Sequence, residues 1–240
     1  MPERRASGNP VPGEDVRAMF DRIAPIYDRM NTVMTAGLDA GWRRAAMRAT
    51  RLRPGLRALD VACGSGTLTR ELARAVGPTG SVLGVDLSDG MLERARRSAV
   101  PTGSAHPAYQ QGDALALPVE DASHDAATIA FGLRNVGDYR RALAEMTRAV
   151  APDGRVVVLE IATPRSAIGR AVASTWFRRV VPVLGRLAGG GGAYRYLPRS
   201  VEGYPWPEEI AALMADVGLI DVKWRGMAFG MVTLHEGRRA

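Results

Sequence analysis

The stretch Leu59-Asp60-Val61-Ala62-Cys63-Gly64-Ser65-Gly66-Thr67 carries the residue types of a small-molecule site. The apolar run 56–62 predicts a short buried strand, and Leu68, Leu72, Ala73 and Val76 then fall at helical spacing. A strand that turns through glycines such as Gly64 and Gly66 into a helix lets backbone N–H groups approach a ligand closely. Asp60 stands before the turn, where an acid repels a pyrophosphate and suits a cationic group. Asp86, closing the run 82–86, lies about 20 residues downstream, where a carboxylate can accept both hydroxyls of a ribose. The blander reading is that Asp60 caps the turn and the glycines only make a tight bend.

A dinucleotide fingerprint needs a third glycine, and position 69 is Thr, which weakens a nicotinamide oxidoreductase. An acid at position 60 fits the amino group of an S-adenosylmethionine tail better.

The surrounding pattern supplies the scaffold. Residues 81–86 read as a strand, 88–98 as a helix with Ser88 as N-cap, 108–110 as a weak strand and 124–131 as another. A helix over 139–150, a turn at Asp153-Gly154 and a buried strand over 155–161 follow. Strands alternating with helices mean an α/β fold with a parallel sheet. Pro207 opens a last helix over 207–217, and 219–224 and 227–235 read as two closing strands around Arg225-Gly226.

Upstream, residues 1–13 are rich in Pro and Gly and read as a mobile tail. Helical patterns within 14–52 include Val16, Met19, Phe20 and Ile23, then an arginine-rich segment over 42–52, placed to close over the ligand crevice as a lid. Residues 165–200 form a cap insertion. Its apolar positions, from Ile168 to Leu187, are interspersed with arginines, Pro182 should kink it, and Gly189 to Gly192 follow. Such a basic amphipathic helix packs on its own domain or lies on a membrane surface.

At 240 residues, 46% of them hydrophobic, the chain is one domain able to bury a full core. The sequence shows neither an apolar run long enough to span a membrane nor a signal peptide, so a cytoplasmic protein is expected, and whether helix 167–187 makes it peripheral at the inner face of the membrane stays open. The single cysteine, Cys63, leaves no internal disulfide and no cysteine-based metal site. The net charge is +7, almost wholly from arginine. Without basic-aromatic interleaving on a recognisable nucleic-acid fold, that charge does not indicate a nucleic-acid partner.

Several segments together resemble the ubiquinone/menaquinone biosynthesis C-methyltransferases, a class I S-adenosylmethionine-dependent family. They are Val16 to Asn31, the glycine loop, Phe131-Gly132-Leu133-Arg134-Asn135-Val136, Tyr194 to Ser200 and Gly230 to Gly237, spanning about residues 14–238 in order. The resemblance implies a seven-stranded, mostly parallel sheet whose last strand is antiparallel, with helices on both faces. It implies S-adenosylmethionine as cofactor and a demethylmenaquinol-type polyprenyl hydroquinone as acceptor, and no metal. By the same resemblance Ser65 keeps a cofactor-binding hydroxyl where Thr is usual, Asp86 holds the ribose, and Asp113 and Ala114 lie beside the adenine. Ala130 takes a cofactor-contacting position where many relatives have Ser. Cys63 and Thr67 stand where Gly and Asp are frequent.

Methylating a ring carbon needs an electron-rich ring, and deprotonation of a ring hydroxyl supplies the electrons. Arg134 is assigned to stabilise the resulting quinolate, with Asn135 as its orienting partner. A guanidinium remains protonated, so the proton must go to a water, Tyr27, Asp28 or His235. Against these roles, Tyr27 could be a packed aromatic, Asp28 a helix cap, His235 a structural histidine and Cys63 a small buried residue. A class I methyltransferase of another small molecule is the alternative function. An apolar side on helix 167–187 could also make a homodimer.

Overall fold

A computed structural model describes residues 8–176, 200–201 and 203–240. Seven strands form one sheet: β1 (Arg57–Val61), β2 (Ser81–Asp86), β3 (Ala108–Gln111), β4 (His124–Ala130), β5 (Val150–Ile161), β6 (Leu219–Met227) and β7 (Val232–Arg239). Their order is β3-β2-β1-β4-β5-β7-β6, with β7 antiparallel to both neighbours. The chain leaves β1 toward one edge through β2 and β3 and returns to its other side with β4. That reversal opens a crevice at the carboxyl ends of β1 and β4, the place where doubly wound sheets bind ligands.

Alternation along the strands sorts side chains to two faces. Leu59, Val61, Val156 and Val158 pack with Tyr139, Leu143 and Met146 of α6 (Tyr139–Ala149) and Ile210 and Met214 of α8 (Pro207–Asp216). On the opposite face Ala58 and Val82 meet Leu68, Leu72 and Val76 of α4 (Thr67–Val76). Val157, Leu159 and Leu234 meet Ala45 and Ala46 of α3 (Asp39–Ala49). Central strands covered twice read as near-continuous apolar runs, which is why they stand out in the sequence.

Helix starts follow their capping residues. Ser88 accepts from the Met91 N–H at 3.1 Å at the head of α5 (Asp89–Arg97), and Asp138 accepts from the Arg141 N–H at 2.9 Å at the head of α6. Ser166 caps α7 (Ala167–Thr175) through the Gly169 N–H at 2.9 Å.

Before the sheet come α1 (Gly13–Ile23), a 3-10 turn (Ala24–Ile26) and α2 (Tyr27–Met34). Ile23, Ala24 and Met30 pack on Met91 of α5, which seats this region over the carboxyl edge of the sheet.

Three sequence expectations need adjustment. Within the supposed tail, Asn9 is buried and its N–H donates to the Val136 carbonyl at 2.8 Å, so the chain is docked from there onward. The last hairpin reverses at Ala228-Phe229-Gly230, all at positive φ, while Arg225 and Gly226 stay in the ladder opposite Leu234 and Thr233. The turn at Asp153-Gly154 is an irregularity inside β5, where Asp153 takes φ 65°. Of the cap, the described part is α7; Pro182, Gly189 to Gly192 and the motif from Tyr194 lie outside the described residues. No helix among the described residues is long and apolar enough to cross a membrane.

Candidate active site

The first residues after β1 and β4 are Ala62 and Phe131, at φ 50° and 59°. Left-handed backbone at non-glycine residues is costly and persists where the surroundings enforce it. It turns both chains sharply outward and brings them together. A Cβ on Gly132 would stand 2.6 Å from that of Ala62, so this crossing admits only glycine. Gly66, at φ 76°, is equally confined, because an added Cβ would lie 2.6 Å from the Tyr109 hydroxyl.

These loops frame a cavity of about 210 Å³. Gly64, Asp86, Asp113, Ala114, Ala130, Asn135 and Tyr27 all line it. Asp86 Oδ2 accepts the Gly64 N–H at 2.7 Å and Oδ1 accepts the Ser88 N–H at 2.9 Å, which fixes the carboxylate at the end of β2. Burial pushes its pKa up, against the pull of those two N–H donors. Asp113 Oδ1 accepts the Leu115 N–H at 2.9 Å. Apolar Phe20, Met91, Leu115 and Val136 complete the walls.

Four other expected residues stand behind this wall. Asp60 is buried and receives the hydroxyls of Thr69 at 2.6 Å and Thr128 at 2.8 Å. Burial raises its pKa to about 6. Its carboxylate therefore braces the loop from below; direct contact with a ligand's amino group, the sequence reading, has no support in this placement. Ser65 donates its hydroxyl to Asp28 Oδ1, and Asp28 Oδ2 pairs with Arg94 at 2.7 Å. With both oxygens engaged away from the cavity, Asp28 ties α2 to the glycine loop and is poorly placed as a base. Gly66 serves as the left-handed N-cap of α4.

A second cavity, about 80 Å³, adjoins the first and shares Phe20, Tyr27 and Phe131 with it. Met30, Met34, Trp42 and Ile161 give it an apolar lining, and Asp39, Arg43 and Arg134 are its charged residues. Arg134 and Asn135 sit in one 3-10 turn (Leu133–Asn135), with Asn135 lining the first cavity and Arg134 the second. Glu160, fully buried in β5, holds the Arg134 guanidinium through Oε1 at 2.7 Å. The same guanidinium also donates to the Phe131 carbonyl.

Sequence reasoning missed Glu160, Asp39 and Arg43. An acid inside the apolar run 156–161 was a readable signal for Glu160. Thr69, noted only as a missing glycine, is a hydrogen-bond donor to Asp60.

His235 lines neither cavity. Its ring is buried, shares a 2.9 Å hydrogen bond with the Pro207 carbonyl and stacks on Trp224, and burial lowers its pKa to about 4. It is a packing residue and no candidate base. The Cys63 thiol is buried and its pKa pushed well above the ordinary value, so it is no nucleophile.

Residues 9–239 match the model of the ubiE/COQ5 methyltransferase family. A ubiquinone/menaquinone biosynthesis C-methyltransferase of Geobacter sulfurreducens is 42% identical over 228 residues, covering 95% of this chain and 89% of that one. A demethylmenaquinone methyltransferase of Thermus thermophilus is 43% identical, covering 92% of this chain and 100% of that one. Among solved structures, a possible histamine N-methyltransferase from Thermotoga maritima superposes with TM-score 0.62 at 21% identity, over 93% of this chain and 99% of that one. At that identity the likeness concerns the fold.

Proposed function

The chain belongs to the ubiE/COQ5 methyltransferase family, and from that membership we propose that it transfers a methyl group from S-adenosylmethionine to a ring carbon of a demethylmenaquinol-type polyprenyl hydroquinone. The observation that carries this reading is the pair of adjoining cavities, one bearing carboxylates and one apolar with guanidinium groups, meeting at Phe131.

The first cavity suits S-adenosylmethionine. Each Asp86 oxygen accepts one backbone N–H and keeps a second lone pair for a ribose hydroxyl. Asp113 and Ala114 lie on the wall that suits the adenine, and Gly64, Ala130 and Asn135 complete the polar and small-residue lining. Asp60, Ser65 and Gly66 hold the loop in shape from behind. The bound cofactor supplies an electrophilic methyl on a sulfonium.

The second cavity suits the acceptor ring. Phe20, Met30, Trp42 and Phe131 offer apolar and aromatic surface to a flat hydroquinone. Arg134, aimed by Glu160, favours the aryl oxide over the neutral hydroxyl and thereby raises electron density at the ring carbon. Tyr27, common to both cavities, is the side chain placed to hold a water that takes the hydroxyl proton to solvent. After methyl transfer the C–H proton leaves the ring carbon by the same water, and the oxide is protonated again as the ring rearomatises. Helices α1 to α3 act as the lid over both ligands.

An isoprenoid tail must leave this cavity. Ile168 of α7 and Phe229 of the last turn expose 71% and 69% of their surface, and α7 packs against that turn. We place peripheral contact with the membrane there. Homodimer formation through 167–187 involves residues outside the described ones.

The test is methyl transfer from S-adenosylmethionine to a short-tailed demethylmenaquinol, with the oxidised quinone as control. Transfer to the reduced ring alone is expected; transfer to neither overturns the acceptor assignment.

A further inference from the structure

Arg134 and Arg43 both line the acceptor cavity, and their surroundings differ. Arg134 is neutralised by Glu160 and donates to the Phe131 carbonyl. Arg43 is 7% exposed, and its Nε is buried without a hydrogen-bond partner among the described residues. Its ion-pair partner, Asp39, stands 3.6 Å away, beyond hydrogen-bond reach, and its Oδ1 accepts the Thr35 hydroxyl at 2.9 Å. The guanidinium carbon sits 5.1 Å from the centroid of the Phe131 ring. A buried cation stacked on an aromatic face, with donor capacity unspent, is held in place for an acceptor still to arrive.

We infer that Arg43 is the acceptor-binding residue that donates to a ring oxygen of the substrate as its oxide, while Arg134 stands across Phe131 as a charge fixed by the protein. The inference rests on the acceptor reading above and adds a residue to it. A hydroquinone carries two ring oxygens, and a cavity with two guanidinium groups matches that chemistry. Arg43 lies in α3, so the helix that covers the cavity also brings the donor. The Asp39 charge nearby moderates the field without occupying the guanidinium's hydrogen bonds.

The test uses the ionisation of a bound aryl alcohol. The full-length enzyme is titrated with 4-nitrophenol, whose oxide absorbs in the visible, between about pH 3.5 and about pH 9, where its bound pKa is read. A guanidinium donating to the oxide lowers that pKa by about 1–3 units, and Arg43→Met is expected to remove at least tenfold of this stabilisation. Arg43→Lys keeps the charge and loses the fork, so it should retain part of the shift. An unchanged bound pKa in either variant overturns the inference, as does a wild-type enzyme that leaves the probe's pKa where it is in water. Cofactor binding by calorimetry is measured beside it. Arg43 does not line the first cavity, so a folded Arg43→Met variant binds normally; if it does not, the lysine variant decides. Methyl transfer to the hydroquinone is followed in parallel. Failure there with the Arg43-dependent shift intact rejects the acceptor's identity while leaving the oxide-binding role standing.

Discussion

Glu160 holds Arg134 at two points: Oε2 accepts its backbone N–H at 3.0 Å and Oε1 its guanidinium at 2.7 Å, with the carboxylate fully buried. One side chain thus fixes both the turn after β4 and the cation it presents. Breaking a buried pair by removing one partner costs about 3–5 kcal/mol. Glu160→Ala is therefore expected to lose unfolding free energy of that order, read from the shift in denaturant midpoint at unchanged m, and to lose turnover. Glu160→Gln, which keeps an acceptor for the backbone N–H, should lose turnover more than stability. Equal loss of both in the two variants would contradict a positioning role.

If Arg134 favours the aryl oxide as proposed, Arg134→Ala should lose most methyl transfer, while cofactor affinity measured by calorimetry stays near wild type. The side chain lines the second cavity and not the first. Unchanged turnover would remove Arg134 from the mechanism.

Asp86→Asn keeps one acceptor oxygen and loses the charge that strengthens each hydrogen bond. Bonds to charged groups are worth about 1.5–3 kcal/mol. Affinity for S-adenosylmethionine should drop by about one to two orders of magnitude, read by calorimetry, with less change in the acceptor KM.

Asp60 carries a pH signature. Its folded pKa, about 6, lies above the ordinary 3.8, so the folded state prefers the protonated acid. The stability this group contributes is complete below about pH 4 and is lost as pH rises through about 6, amounting to about 3 kcal/mol. Asp60→Asn removes the titration, so its melting temperature should gain on wild type over that interval and run parallel above it. A difference independent of pH would show that the carboxylate's burial has been misjudged.

Asp28→Asn weakens the tie between α2 and the glycine loop, since Asp28 joins Ser65 to Arg94. The variant should raise the cofactor KM and leave the pH dependence of kcat unaltered. A shifted acidic limb in kcat would instead restore Asp28 as a base.

The sheet was legible because its central strands are covered on both faces and announce themselves as apolar runs ended by Gly, Asp or Pro. The hairpin tip was misplaced by a few residues because Arg225-Gly226 offers a glycine, whereas the reversal is made by Ala228 and Phe229 in left-handed backbone that no propensity favours. The residues of the first cavity come mainly from the ends of successive strands, so spacing along the chain brings them into view. Those of the second come from α1, α2, α3, the turn after β4 and the end of β5, and have no common period. Asp60 shows the same limit. Its hydroxyl partners lie 9 and 68 residues away, and the second is invisible until β1 and β4 pair.

Asp21 of α1 accepts the Ser88 hydroxyl at 2.5 Å and the Gly90 N–H at 3.1 Å, at the same helix terminus whose Ser88 N–H steadies Asp86. The Arg17–Asp89 pair at 3.1 Å and the packing of Ile23 and Ala24 on Met91 fasten α1 to that same terminus. A substitution that loosens α1 is therefore felt at Asp86 through the Ser88 terminus.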